Sequence, residues 1–446
     1  MKKKRLAISL LVGCLLLANL FFLQKLLMPK HVFGTLEGSL VEDYYKVEKN
    51  NDVIFIGDCE VYENFSPITL WEEYGITSYI RGSAQQLIWQ SYYLLEETLK
   101  CISLPNEKAK EEAKKRLDNL VKPIGSLGQL EEIAIKMAGI TGKLHNKIDK
   151  RNIVVMCADN GVVEEGVSAC PQEFTIMLTE NMTKGFTGVS VLSEIFNTDL
   201  TIVDIGLKED IKNPNVLNKK INYGTKNFTK GPSMDYDEAI KAMEVGIEIG
   251  DNLFKRAYDI IGTGELGIGN TTTSAAVLSA FTGFGPEITS GKGAGLTEEQ
   301  YESKKNAIRR GLMLNKPNKN DPIDVISKVG GFDIAGMCGL FLSAAKNRKP
   351  IVIDGFISSV AALSAVKLNP LVKEYIFPSH LSKEPGAMYV MEELGFKPML
   401  DLEMRLGEGS GCPLAFQIIE AALCIMDNMA TFEEASIDSK VLIDIR

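Results

Sequence analysis

A chain of 446 residues is longer than one ordinary compact core needs and suffices for two or three structural units. With 45% apolar and 24% charged residues it has the balance of a folded protein, which excludes a largely disordered one. A net charge of −9 excludes an extended basic face for nucleic acid, so anionic ligands would have to be held by local donors such as backbone N–H groups or single lysines. None of the eight cysteines forms a CxxC pair and the three histidines are scattered, so no metal site and no dense disulfide framework is expected.

In chain order, the first expected unit is a signal-anchor or transmembrane segment over 1–30. Lys2, Lys3, Lys4 and Arg5 precede an apolar run over 6–23, nearly long enough to cross a bilayer, with the basic cluster kept in the cytoplasm. Leu11-Val12-Gly13-Cys14 has the look of a lipoprotein cleavage box, but the apolar run continues past Cys14, which favours an uncleaved anchor. The second unit, 31–93, contains Val53-Ile54-Phe55-Ile56 running into Gly57-Asp58-Cys59-Glu60, a pattern for a buried strand that delivers a loop. It resembles the opening block of membrane-anchored SGNH hydrolase-like proteins, with Cys59 where that resemblance implies a serine. No base or oxyanion block follows, so a truncated and inactive fragment is expected.

The third unit, 94–446, opens with a charged helix whose inward stripe is Ala109, Ala113, Leu117 and Leu120, ended by Pro123 and Gly125. Short β-rich runs at 153–157, 200–203, 259–261, 351–353 and 375–377 then alternate with turns and helical patterns. This rhythm predicts a mostly parallel sheet with helices on both faces, and ligands beyond the carboxyl ends of its strands. After the run ending at Ile261, Gly262-Thr263-Gly264-Glu265-Leu266-Gly267-Ile268-Gly269-Asn270 leads into Thr271, Thr272 and an Ala-rich helix. Glycines that admit a close ligand, a helix N-terminus and threonine hydroxyls make a cradle for phosphate; a plain strand-to-helix turn would use the same residues. In Arg405-Leu406-Gly407-Glu408-Gly409-Ser410-Gly411, a glutamate between two glycines stands on a short loop with no side-chain neighbour to bury it. Helix entry alone would explain the acid but not glycines on both sides. Lys304 follows the flexible Gly291–Gly295 stretch on a charged helix, where a lone lysine ordinarily faces solvent.

These blocks, with Lys122-Pro123-Ile124-Gly125-Ser126-Leu127-Gly128, Ala158-Asp159-Asn160-Gly161-Val162, Glu165-Gly166-Val167-Ser168, Lys328-Val329-Gly330-Gly331-Phe332-Asp333, Asp354-Gly355-Phe356 and Ser379-His380-Leu381-Ser382, resemble the nicotinate-nucleotide:dimethylbenzimidazole phosphoribosyltransferases. The resemblance implies a Rossmann-like three-layer α/β domain with a small helical domain built from both ends. It also implies a homodimer without cofactor or metal, and a cytoplasmic catalytic domain, membrane-anchored only through residues 6–23. The implied reaction moves phosphoribose from nicotinate mononucleotide to 5,6-dimethylbenzimidazole or a related base, in assembly of the cobalamin nucleotide loop. By the same resemblance Glu408 is the base, and Glu265 and Lys304 support the sugar. Gly267, Gly269, Asn270, Thr271 and Thr272 hold the 5′-phosphate, Cys170 and Leu178 lie near the incoming base, and Gly264, Ser168, Leu406, Gly407 and Gly409 also bind substrate. Cys170 and Leu178 depart from polar side chains in some members, Asn160 from a frequent histidine, and Ala387 from another; the first two leave the base preference open. The competing expectation is a membrane-tethered SGNH-like envelope protein whose C-terminal domain only binds.

Overall fold

The computed structural model describes residues 53–58, 78–83, 88–293, 295–438 and 444. The chain divides into two units, Met1–Gln90 and Ser91–Arg446. In the first, β1 (Val53–Asp58) pairs in parallel with β2 (Ser78–Ser83), Val53 standing opposite Ser78. The strand expected at 53–56 thus runs two residues farther; Cys59 lies outside the described residues.

The second unit is built on six parallel strands: β3 (Arg151–Ala158), β4 (Asp199–Gly206), β5 (Val216–Asn218), β6 (Ile260–Leu266), β7 (Ile351–Ile353) and β8 (Ile376–Pro378). Their order across the sheet is β5-β4-β3-β6-β7-β8. Every residue of β3 and β6 is buried, as expected of central strands covered on both faces. The short edge strand β5 went unpredicted because three residues, of which only Val216 is buried, carry no period to read.

Helices Tyr236–Lys255, Phe332–Lys346 and Phe356–Leu368 cover one face of the sheet; Phe174–Thr183, Gly188–Ile195 and Cys412–Asn428 cover the other. Tyr236–Lys255 and Phe332–Lys346 lie backbone against backbone, because a Cβ on Gly246 would fall on Gly336 and one on Gly339 on Met243. Gly246→Ala should therefore cost about 1–3 kcal/mol of stability through overpacking. A thermal midpoint equal to the parent's would mean that the two helices separate freely.

Both ends of this unit meet in a helical cluster. Helix Glu107–Asn119 starts where the Asn106 side chain accepts the Ala109 N–H, and it buries Ala109, Ala113 and Leu117. It stops before the expected Pro123: Leu120 is extended and bridges Thr431, while Val121 N donates to Ala430 O. Arg116 donates through Nε to Met426 O at 2.7 Å, and the buried pair Lys122–Glu131, 2.7 Å apart, fixes the turn into helix Gln129–Thr141.

The expected transmembrane element is withdrawn from the fold. Among the described residues no helix is long and apolar enough to cross a membrane. Even the 20-residue helix Tyr236–Lys255 carries Asp237, Glu238, Lys241, Glu244, Glu248 and Asp251, the mark of a helix with one face in water. Residues 6–23 lie outside the described residues, so neither the membrane contact nor the anchored location expected from them has a structural basis.

Candidate active site

Strand order reverses between β3 and β6, which leaves a crevice at their carboxyl ends. A cleft of about 590 Å³ opens there. Its lining comes from the end of β6 and the turn and helix start that follow (Glu265, Leu266, Gly267, Ile268, Gly269, Asn270, Thr271), from 167–178, from Gly355, Phe356 and Ile357 after β7, from His380, Ser382 and Glu384 after β8, and from 405–408. Lys292 and Arg405 bring positive charge to it.

The glycine run after Ile261 is strand, not loop, as far as Leu266. Its glycines serve a different contact from the one expected. A Cβ on Gly264 would overlap the Glu408 carbonyl, so the bare backbone of β6 is the bed on which the loop 407–411 lies. The turn proper is Gly267-Ile268-Gly269. Gly269, at φ 90°, caps helix Asn270–Thr282, whose first two residues line the cleft; Asn270 N donates to Gly267 O and Thr272 N to Gly269 O within the turn.

Glu408 is only 7% exposed, contrary to a loop acid without neighbours. Its backbone is left-handed (φ 64°), and Oε2 accepts the Val189 N–H at 3.1 Å, at the start of helix Gly188–Ile195. Burial raises its pKa, the Val189 N–H pulls the other way, and the charge of Asp354 raises it again. The loop is tied from below: Asp354 accepts the N–H of Gly409 at 3.0 Å and of Gly411 at 2.6 Å. Glu265 takes the side-chain amide of Asn270, which also reaches Asp333 at 3.3 Å. Burial first, then Asp333 and Asp354, lifts Glu265 well above the carboxylate range. Burial likewise pushes Asp333 up to about 6 and Asp354 to about 7, and lowers His380 to about 4.

Lys304 is fully buried rather than solvated. Its Nζ donates to Thr271 Oγ1 at 2.8 Å and to Gly291 O at 3.0 Å, and burial lowers it to about 8. Of the residues expected at the site, Glu408, Glu265, Gly267, Gly269, Asn270, Thr271, Ser168, Cys170, Leu178, Leu406 and Gly407 line the cleft. Gly264, Thr272, Lys304 and Gly409 lie behind that lining. Asp333, Asp354, His380 and Glu384 were missed; the first three stand inside recognised blocks and Glu384 just after one, but nothing local marks a buried acid.

The raised acids predict a sign for stability against pH. A carboxyl whose folded pKa is raised stabilises most when protonated: its contribution is full below the unfolded pKa of about 4 and is lost as pH rises through the folded value. The thermal midpoint of the parent should therefore fall more between pH 5 and 8 than that of Asp354→Asn, which lacks the titration near 7. Parallel curves would remove Asp354 from this account.

Sequence relatives match this half of the picture. A family model described as phosphoribosyltransferase covers residues 102–437. The nicotinate-nucleotide–dimethylbenzimidazole phosphoribosyltransferase of Clostridium tetani is 58% identical over 354 residues, 79% of this chain and 98% of the relative. That of Clostridium acetobutylicum is 51% identical over 344 residues, 77% of this chain and 98% of the relative. The chain belongs to this phosphoribosyltransferase family. Among solved structures, CobT from Thermus thermophilus superposes with a TM-score of 0.72 at 35% identity, covering 74% of this chain and 99% of that one. The family's Rossmann-like parallel sheet is thus the sheet seen here, and the chain is an enzyme of the pentosyltransferase kind. The same matches correct the rest of the recognition: these relatives align along nearly their whole length as phosphoribosyltransferases, and none brings an SGNH-like or membrane-anchored part with it. The SGNH-like fragment and the tethered envelope protein built on it are withdrawn.

Proposed function

We infer that the chain transfers phosphoribose from nicotinate mononucleotide to a 5,6-dimethylbenzimidazole-type base, giving α-ribazole 5′-phosphate and nicotinate in cobalamin nucleotide-loop assembly. The observation that carries this reading is the buried carboxylate of Glu408, held by the Val189 N–H at the side of a cleft in a member of this family. The reaction is assigned to residues 94–446 and to the cytoplasm, the compartment of a phosphorylated pyridine nucleotide.

In the transfer, the lone pair of one benzimidazole nitrogen forms the new bond to C1′ as the bond to the pyridinium nitrogen breaks. The electron pair of that bond returns to the ring, and nicotinate leaves. The attacking ring would become cationic; Glu408 accepts the proton from its other nitrogen, and its charge favours the positive ring on the way. Displacement from the opposite face turns a β-nucleotide into an α-riboside. The apolar stretch formed by Phe174, Leu178 and Leu406, with Cys170, suits a flat aromatic ring. The 5′-phosphate is placed at Gly267, Gly269, Asn270 and Thr271, at the amino end of the helix. Thr272, Gly264 and Gly409 act from behind as packing. Glu265 orients the sugar, and Lys304 holds Thr271 and supplies positive charge.

Incubation of the full chain with nicotinate mononucleotide and 5,6-dimethylbenzimidazole, followed by chromatography, should yield α-ribazole phosphate. A folded protein that makes none, with adenine and phenols also offered, would overturn the reading. Because Lys304 is charged only below about 8, nucleotide affinity should weaken as pH rises through that value. Lys304→Met should bind weakly at every pH; a surviving pH dependence in the variant would place the titrating group elsewhere.

A further inference from the structure

We propose that Glu384 receives the ribose hydroxyls of the nucleotide and so makes the site select a ribonucleotide over its deoxy forms; this rests on the transfer reaction inferred above. Glu384 is the cap residue ahead of helix Pro385–Leu394, yet its side chain makes no capping bond to that helix. It lines the cleft close to Gly291, is 8% exposed, and its Oε2 is buried without a hydrogen-bond partner. Lys304 feels its charge, but the Lys304 ammonium bonds to Thr271 and Gly291 instead.

A buried carboxylate oxygen left unpaired costs free energy that a ligand donor recovers. The nucleotide narrows what that donor is. Its phosphate and its nicotinate carboxylate are anionic acceptors that would be repelled, and its pyridinium ring has no N–H. The 2′- and 3′-hydroxyls are its O–H donors. The benzimidazole N–H is taken by Glu408. Glu384 therefore faces the ribose diol, and selection follows because a nucleotide lacking the hydroxyl leaves the acid unpaired again.

The test is calorimetric titration of the full chain with nicotinate mononucleotide and with its 2′-deoxy and 3′-deoxy forms, with turnover followed in parallel. The parent should bind at least one deoxy form about 10- to 100-fold more weakly, the range for a bond to a charged acceptor. Glu384→Leu, which has no acceptor, should lose a similar factor on the ribonucleotide and bind the three nucleotides within about threefold of one another. Equal binding of all three by the parent, which needs no variant to fold, overturns the proposal. So does undiminished discrimination in Glu384→Leu of native thermal midpoint. Discrimination through Glu384 without α-ribazole phosphate would uphold this proposal and sink the assigned reaction, so the two failures are distinct.

Discussion

Glu408→Gln should lower kcat by about 10²- to 10⁴-fold, the usual worth of a positioned general base, while nucleotide binding changes by no more than a few-fold. The amide has the shape of the acid, and its oxygen can still accept the Val189 N–H. What it lacks is the ability to take a proton from the attacking ring. Glu265 is placed differently: its Oε2 already takes the Asn270 side-chain amide, and burial with the charges of Asp333 and Asp354 raises its pKa well above the ordinary carboxylate value. The parent's kcat should also fall as pH drops through the raised pKa of Glu408, since only the ionised acid is a base. That limb of the profile should vanish in the variant. Rates near the parent's, or an unchanged acid limb, would take the role of base away from Glu408.

Gly264→Ala should be nearly as damaging, although the added methyl group never meets substrate. Its Cβ would overlap the Glu408 carbonyl and crowd Gly409 N, so the loop must lift from β6 or the strand must bend. The N–H groups of Gly409 and Gly411 are tied to Asp354, which resists the lift from below. A displacement of about 1 Å at a reacting group costs on the order of 10²-fold in rate. The loss should fall on kcat, with about 1–3 kcal/mol taken from stability. If Gly264→Ala lost nucleotide affinity and kept kcat, the glycine would be lining a phosphate site after all, and the supporting contact would be misread.

Periodicity and turn chemistry were enough to place five of the six strands of the large unit, because each of those runs is short, β-rich and closed by glycine, aspartate or serine. The helix at 107–119 was legible for the same reason: its buried stripe repeats at helical spacing and depends on no distant partner. Glu408 was legible as a candidate because flanking glycines are a local signal. Two features were not. The strand β6 swallowed half of the supposed cradle, since glycines in sequence do not say whether a ligand or another loop approaches them. Lys304 was expected in water and Glu408 without neighbours to bury it, yet both are buried; their burial comes from Thr271, Gly291, Val189 and Gly264, all but Gly291 far away in the chain.

The apolar run at 6–23 was read by composition alone and lies where the structure describes nothing. The sequence by itself determined the family, the parallel sheet and the candidate base, because these rest on ordered blocks and local periods. Only the tertiary structure decided which acids are buried together, which glycines carry the catalytic loop and that an oxygen of Glu384 is buried without a partner. Burial, charge coupling and close backbone contact depend on residues far apart in the chain, and no local pattern encodes them.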